Sequence, residues 1–302
     1  MVGGALVRAL RSRGHSQVLA PTRRDVDLLD QTAVRSFFRE QRPSHVFLAA
    51  ARVGGIQANN VYRADFIYEN IVIATNVIHA AFEVGVAKLL NLGSSCIYPK
   101  LAAQPLKEEY LLSGELEPTN EPYAIAKIAA IRLCEAFRDQ YGCNFVSVMP
   151  TNLFGPGDNF DLETSHVLPA LIRRCHDAKV GGQSVLQVWG SGNPLREFLH
   201  VDDLAEACCF VMDAYDERQF LNIGFGEDIT IRELAHLVVD EVGFQGELAF
   251  DQTRSDGTPR KLLDSSRIRA LGWKPRIGLR SGIKSTYRWY VDNLDQVYAK
   301  AN

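Results

Sequence analysis

The chain has 302 residues, of which 46% are hydrophobic and 23% are charged, as in ordinary soluble globular proteins. Its formal net charge of -3 gives no general attraction to nucleic acid. No apolar run is long enough to cross a bilayer, and the N-terminus lacks the apolar core of a signal peptide. The length suits one large domain or two moderate ones.

The cysteines indicate reduced thiols rather than disulfides. None of them forms a C-x-x-C pair, and a chain of this size can bury a core without covalent cross-links. We therefore expect a cytoplasmic protein without a metal site. The six cysteines are Cys96, Cys134, Cys143, Cys175, Cys208 and Cys209.

The start of the chain resembles part of a dinucleotide-binding unit. Apolar residues at helical spacing predict a helix over residues 1–10, with Gly14 as its stop. Such a unit places a strand and a glycine-rich turn before this helix. Here Gly3 and Gly4 look like the end of that turn and no strand precedes them. We therefore expect the first strand of the sheet to be missing.

Two arginines favour NADP over NAD. A short strand is predicted at residues 17–21, and Arg23 and Arg24 follow it. In dinucleotide folds an acidic residue near this point binds the adenosine ribose, whereas an arginine accommodates a 2′-phosphate. The alternative is a pair of solvated surface arginines.

Strands and helices alternate through the first half of the chain. Strands are predicted at 45–51, 87–92 and 144–149, and long helices at about 60–84 and 123–141. This alternation predicts a doubly wound parallel α/β sheet. Beyond residue 155 proline and glycine break the pattern into shorter elements, ending in a helix at about 279–298. We predict an NADP-binding domain over 1–155 and a smaller mixed α/β substrate lobe over 156–302, with some segments returning to the first domain.

A serine, a tyrosine and a lysine have the spacing of a hydride-transfer site. Ser94 follows the predicted strand 87–92, at the edge where open α/β sheets bind ligands. Tyr123 and Lys127 are one helical turn apart and share a face. An ammonium group beside a phenol should lower the pKa of the tyrosine. Ser94 can then hydrogen-bond a substrate oxygen while Tyr123 supplies its proton.

The second half offers groups suited to a flat, phosphorylated ligand. Trp189 can stack on a ring, and Arg196 can form a bidentate contact with phosphate. His166, expected in the first turn of a helix that faces the cleft, can act as an acid or be purely structural. Residues 256–261 form a polar loop with two cations.

Five stretches together carry a resemblance to a known family. They are Gly-Ser-Ser-Cys-Ile-Tyr-Pro (93–99), Tyr-Ala-Ile-Ala-Lys (123–127), Met-Pro-Thr-Asn-Leu-Phe-Gly-Pro (149–156), Arg-Glu-Phe-Leu-His-Val-Asp-Asp (196–203) and Asp-Gly-Thr-Pro-Arg-Lys-Leu-Leu-Asp (256–264). Over the whole chain they closely resemble the GDP-L-fucose synthases, which are extended short-chain dehydrogenases/reductases. The Tyr-x-x-x-Lys pair marks only the superfamily, whereas Cys96, His166 and 256–264 narrow the resemblance to this group.

The resemblance implies a reaction and a role for each catalytic residue. The family epimerises GDP-4-keto-6-deoxy-D-mannose at C3 and C5 and then reduces the C4 ketone with NADPH, giving GDP-L-fucose. It implies Ser94, Tyr123 and Lys127 as the reductive triad. Cys96 resembles the base that removes the C3 and C5 protons, and His166 the acid that protonates the opposite face.

The resemblance also implies binding residues and partners. The implied GDP-sugar contacts are Arg174, Trp189, Arg196 and Asp256. The implied cofactor contacts are Gly3, Arg23, Asp27, Leu28, Ala50, Ser94, Lys127, Pro150, Asn152, Leu153 and His166. A homodimer is expected through the helices near 60–84 and 123–141. Because the family's first strand adjoins the cofactor site, its expected absence predicts low stability and weak NADPH binding.

Two alternative functions stay open. One is another nucleotide-sugar enzyme, a 4-epimerase or a 4,6-dehydratase. The dehydratases carry Thr-Asp-Glu where Ser94-Ser95-Cys96 stands, and the 4-epimerases hold NAD tightly and need no paired cysteine and histidine. The other is a non-catalytic NADPH- or nucleotide-sugar-binding protein or an inactive fragment.

Overall fold

The computed structural model describes residues 1–253 and 256–301. The helices are α1 (Val2–Ser12), α2 (Gln31–Gln41), α3 (Ile56–Val61), α4 (Arg63–Glu83), α5 (Glu121–Tyr141), α6 (Val167–Val180), α7 (Val201–Ala214), α8 (Ile231–Val242), α9 (Ser266–Ala270), α10 (Leu279–Asp292) and α11 (Leu294–Ala301). The strands are β1 (His45–Leu48), β2 (Lys88–Leu92), β3 (Phe145–Pro150), β4 (Asn152–Phe154), β5 (Val185–Trp189), β6 (Leu195–His200), β7 (Leu221–Ile223), β8 (Asp228–Thr230), β9 (Glu247–Asp251) and β10 (Arg260–Lys261).

A parallel sheet in the order β1-β2-β3-β7 carries the first half of the chain. Strands β2 and β3 are buried along their whole length, as expected when both faces are covered. Successive residues of β2 point to opposite faces, so Leu90 packs with α1 and α7 while Leu89 packs with α2 and α4. Helices on both faces confirm the predicted doubly wound α/β fold.

The predicted strand at residues 17–21 is wrong. Residues 15–22 form neither helix nor strand. Leu19 is 52% exposed, and none of the described strands pairs with this segment. Without a hydrogen-bonded neighbour and a buried face, its apolar residues do not make a strand.

The helix predicted at residues 1–10 is confirmed as α1. It buries Ala5, Leu6 and Ala9 against the sheet and α7, and the chain reverses after it at Gly14, whose φ is +87°. Gly3 therefore lies in the first helical turn rather than in a loop before the helix. Its backbone N–H is one of those that a helix start leaves unpaired.

The second half forms two smaller sheets surrounded by helices. Strands β10, β6 and β4 run parallel in that order, and β8 pairs antiparallel with β6. Strands β5 and β9 form a separate parallel pair. Helices α6, α8 and α10 share one apolar core with these strands. The predicted final helix is two helices, since α10 ends at Asp292 and α11 starts at Leu294.

One buried carboxylate joins three distant segments. Glu197 on β6 is fully buried, and its oxygens accept hydrogen bonds from Gly226 N at 2.7 Å and from Leu263 N at 3.1 Å. The close approach requires glycine at residue 224, where a Cβ would lie 2.3 Å from Glu197 Oε1. Glu197 thereby holds the loop after β7 and the chain after β10 against β6.

No helix within the described part of the chain is long and apolar enough to cross a membrane.

Candidate active site

The end of β2 places Ser94 and Cys96. The chain leaves the strand through Gly93, where a Cβ would lie 2.1 Å from Met149 Sδ and would displace that side chain. It then forms a 3-10 turn over Ser95–Ile97, with Ser94 as its N-cap and Cys96 N 3.5 Å from Ser94 Oγ. The Cys96 side chain is buried. Serine hydroxyl and thiol therefore lie at the carboxyl edge of the sheet, as predicted.

Helix α5 brings Tyr123 and Lys127 to the same edge. It starts at Glu121, two residues before the predicted position. Lys127 Nζ donates to the Leu92 carbonyl oxygen at 2.9 Å and lies 5.7 Å from the centre of the Tyr123 ring. The Tyr123 ring also meets the Phe66 ring edge-on, with 6.2 Å between centres. This hydrogen bond from Lys127 holds α5 against the end of β2, beside Ser94.

The expected lowering of the Tyr123 pKa is wrong. Burial, and next the charge of Cys96, raise the pKa of Tyr123 above its ordinary value of 10, while a hydrogen bond with Ser94 opposes them. Lys127 directs its ammonium to a backbone carbonyl, and burial lowers its own pKa from 10.5 to about 8. Desolvation outweighs the expected attraction between ammonium and phenolate. Tyr123 is therefore a protonated phenol, which suits a proton donor.

Cys96 and His166 share a cationic neighbour. Burial raises the pKa of Cys96 above 9, and Lys261, Ser94 and Lys127 act in the opposite direction. His166 immediately precedes α6 rather than lying in its first turn. Its side chain keeps contact with solvent, yet the surrounding protein, and next Lys261, lower its pKa below 6.5. The thiol and the imidazole therefore lie at one cleft.

Lys261 is the residue that the sequence analysis did not single out. It ends β10, directly opposite Arg196 on β6, and it lines a cavity together with Cys96. Its neighbour Arg260 forms an ion pair with Asp228 at 2.5 Å. The polar stretch 256–261 was the only signal for it, because nothing in the spacing shows which of two adjacent cations turns to the cleft.

The predicted substrate residues form two contact pairs. The Arg174 guanidinium lies 4.0 Å from the centre of the Trp189 ring. Arg196 Nη2 donates to the Asp256 backbone oxygen at 3.4 Å. The Asp256 carboxylate accepts bonds from Ser191 N at 2.8 Å and Ser191 Oγ at 2.7 Å. A cation over an indole and an arginine at a strand edge together suit a flat base and phosphate.

The carboxylate of Asp256 requires the glycine at residue 190. The φ of Gly190 is +87°, in the left-handed region that L side chains rarely adopt. A Cβ there would lie 2.3 Å from Asp256 Oδ1. The Asp256 carboxylate therefore lies directly against the backbone of the loop after β5.

The predicted cofactor residues fall into a central and a peripheral group. Ala50 follows β1, Pro150 ends β3 and Leu153 is on β4, all near the carboxyl edge. Asn152 is held there by a bond from its Nδ2 to the Glu197 backbone oxygen at 2.8 Å.

The peripheral group begins with Arg23. Its side chain is 75% exposed and lies 4.0 Å from the Asp27 carboxylate. Leu28 is half-buried, and its backbone oxygen accepts from Asn76 Nδ2 at 2.9 Å. Gly3 is in α1. An exposed guanidinium beyond the sheet edge fits a cofactor phosphate, and the small Ala50 leaves room for a flat ring.

Comparisons with known proteins agree with this geometry. The profile of the NAD dependent epimerase/dehydratase family matches residues 1–224. GDP-L-fucose synthase 1 of Arabidopsis thaliana is 58% identical over 97% of this chain and 91% of its own. GDP-L-fucose synthase of Escherichia coli (strain K12) is 53% identical over 98% and 95%.

A solved structure shares the fold. The structure of a GDP-L-fucose synthetase from Naegleria fowleri bound to NADP superposes with a TM-score of 0.91 at 29% identity, covering 97% of this chain and 92% of the other. This likeness extends over both halves of the chain. The chain therefore belongs to the NAD-dependent epimerase/dehydratase family and, within it, to the GDP-L-fucose synthases.

Proposed function

We propose that the chain converts GDP-4-keto-6-deoxy-D-mannose to GDP-L-fucose, by epimerisation at C3 and C5 and NADPH-dependent reduction at C4. The observation that carries this proposal is the convergence of Ser94, Cys96, Tyr123 and Lys127 at the end of β2. The similar proteins named as GDP-L-fucose synthases, one of them bound to NADP, support it.

Epimerisation needs a base on one face of the sugar and an acid on the other. C3 and C5 both flank the C4 ketone, so loss of either proton gives an enolate with its charge on the C4 oxygen. Ser94 and Tyr123 donate hydrogen bonds to that oxygen and stabilise the charge. The Cys96 thiolate takes the proton from carbon, and protonated His166 returns one to the opposite face.

Reduction uses the same donors in a second role. When bound, NADPH supplies a hydride to C4, and Tyr123 gives its phenolic proton to the C4 oxygen. Burial keeps Tyr123 protonated until that moment. The Lys127 ammonium, 5.7 Å from the ring centre, lies close enough to stabilise the resulting phenolate.

The cofactor would be held at the carboxyl edge of the sheet. Pro150, Asn152 and Leu153 would lie beside the nicotinamide, and Arg23 beside the 2′-phosphate. Arg23 is exposed and its ion pair with Asp27 is long, so its guanidinium is available to a phosphate. This charge pattern favours NADPH over NADH.

The GDP-sugar would lie across the second half. Trp189, with 44% of its surface exposed, and the Arg174 guanidinium offer a stacked pair for the guanine. Arg196 offers its guanidinium to the diphosphate. The Asp256 carboxylate, fixed by Ser191, offers an acceptor to a hydroxyl or an amino group.

We also propose a cytoplasmic homodimer joined through α4 and α5. These helices expose large side chains, since Tyr68 is 66%, Ile125 40% and Tyr141 53% exposed. Apolar side chains on two adjacent helices suit a four-helix contact between two copies. All six cysteines are free thiols, in keeping with a reducing compartment. Sedimentation at micromolar concentration tests the assembly, and a monomer would contradict it.

Two variants test the assigned chemistry. Tyr123→Phe should reduce NADPH oxidation with the keto-sugar by about 10²-fold or more, since it removes the proton donor. Cys96→Ser should abolish exchange of deuterium from solvent into C3 and C5. Tyr62→Phe, at an exposed tyrosine between α3 and α4, is the matched control. Unchanged turnover in Tyr123→Phe would refute the reductive role, and no turnover by the unmodified chain would favour a binding protein.

A further inference from the structure

Lys261 is partly buried, and among residues 1–253 and 256–301 no side chain pairs with its ammonium. Within residues 1–253 and 256–301 its Nζ makes no hydrogen bond and no ion pair, and burial lowers its pKa below 10.5. Its strand neighbour Arg260 is paired with Asp228. A cation taken out of water without an anion is costly. Its position therefore calls for a negative charge at the cleft.

Cys96 can supply this negative charge when its thiol ionises. Cys96 and Lys261 line the same cavity, and the interaction with Cys96 is the largest that raises the Lys261 pKa. Glu117 lines this cavity too, but its carboxylate already pairs with Lys100 at 2.9 Å. Lys127, the other cation near Cys96, donates to the Leu92 carbonyl.

We propose that Lys261 is a positioning residue whose ammonium makes the buried Cys96 thiol easier to ionise at the cleft. The proton that leaves Cys96 Sγ passes to bulk solvent, and Lys261 keeps its own protons. The inference rests on the proposed role of Cys96 as the base of epimerisation. Burial alone favours the protonated thiol, which is unreactive. The ammonium of Lys261 opposes this effect, so that Cys96 can act as a base.

The charges around Cys96 come from several elements. The titratable and charged groups that face Cys96 or Lys261 are Lys127 and Tyr123 on α5, Lys261 on β10, Arg196 on β6, His166 before α6, and Glu117 in the loop before α5. Of the two lysines that stabilise the thiolate, Lys261 has the larger effect on the Cys96 pKa. Removing it should therefore shift the titration of Cys96 upward.

The test is the pH profile of Cys96 alkylation by iodoacetamide, followed for the Cys96 peptide by mass spectrometry without substrate. Lys261→Met should move the profile up by about one pH unit, so that alkylation slows about tenfold below the pKa. Lys261→Arg should restore the profile. Lys100→Met removes a cation from the same cavity that is already paired, so its profile should match the unmodified chain. An unchanged profile in folded Lys261→Met would overturn the proposal.

A second measurement avoids substitution of Lys261. Coupling is reciprocal, so a thiolate that is stabilised by Lys261 also raises the pKa of Lys261. In Cys96→Ser, which keeps the shape of the side chain, an amine-selective reagent should label Lys261 several-fold faster at the pH values where the thiol of the unmodified chain is ionised. Equal labelling would contradict the proposal. These readouts need no turnover, so loss of the proposed enzyme activity and loss of this coupling can be told apart.

Discussion

Removal of the Lys127 ammonium should change how stability depends on pH. Burial lowers the pKa of Lys127 from 10.5 in the unfolded chain to about 8 in the folded one. Between these values the unfolded state binds more protons, so the free energy of unfolding rises with pH. Lys127→Met lacks this contribution. From pH 7 to pH 9.5 the unmodified chain should therefore gain about 2 kcal/mol over the variant.

The assay is urea unfolding of both proteins at the two pH values. Subtracting the variant cancels the titration of the groups that do not interact with Lys127, provided the urea slopes agree. Lys274→Met is the matched control, because Lys274 is exposed and its ammonium stays in water in both states. If the free energies of unfolding of the unmodified chain and of Lys127→Met differ by the same amount at both pH values, burial does not lower the pKa of Lys127.

Three further substitutions probe the walls of the cleft. Gly190→Ala should displace the Asp256 carboxylate, whose Oδ1 lies 2.3 Å from the new Cβ, and weaken GDP-sugar binding at least several-fold by calorimetry. Glu197→Ala leaves two buried N–H groups without an acceptor, so its free energy of unfolding should fall by about 2–4 kcal/mol in urea melts. Arg23→Ser should raise the KM for NADPH but not for NADH, and a parallel change in both would contradict a contact with the 2′-phosphate.

Much of the fold could be predicted from local pattern. Strands β2 and β3 are short, mainly apolar segments and α5 is a long helix between them, so their existence and order could be predicted from sequence. The strand prediction for residues 17–21 was wrong because a strand needs a hydrogen-bonded neighbouring strand, which the local sequence does not reveal. The boundary at residue 155 stays a prediction.

Site residues could be predicted from the sequence where one helix or turn carries several of them. Ser94 with Cys96, and Tyr123 with Lys127, keep fixed offsets on a turn and on a helix. The direction of the Tyr123 pKa shift could not be predicted from the sequence, because it depends on burial that only the assembled fold creates. Lys261 was missed for a related reason, since the direction of its side chain depends on the pairing of β10 with β6.

The carboxylate of Glu197 has a consequence for the order in which the protein matures. Its two hydrogen-bond donors, Gly226 N and Leu263 N, follow it along the chain, and the second belongs to the stretch that carries Lys261. A ribosome delivers the N-terminal part first, so Ser94, Cys96 and Tyr123 can assemble while the far wall of the cleft is still unmade. Nascent chains from which the β10 stretch has not yet emerged should hold a formed sheet but lack the Lys261 ammonium beside Cys96. Chemical competence would then be the last property that the growing polypeptide acquires.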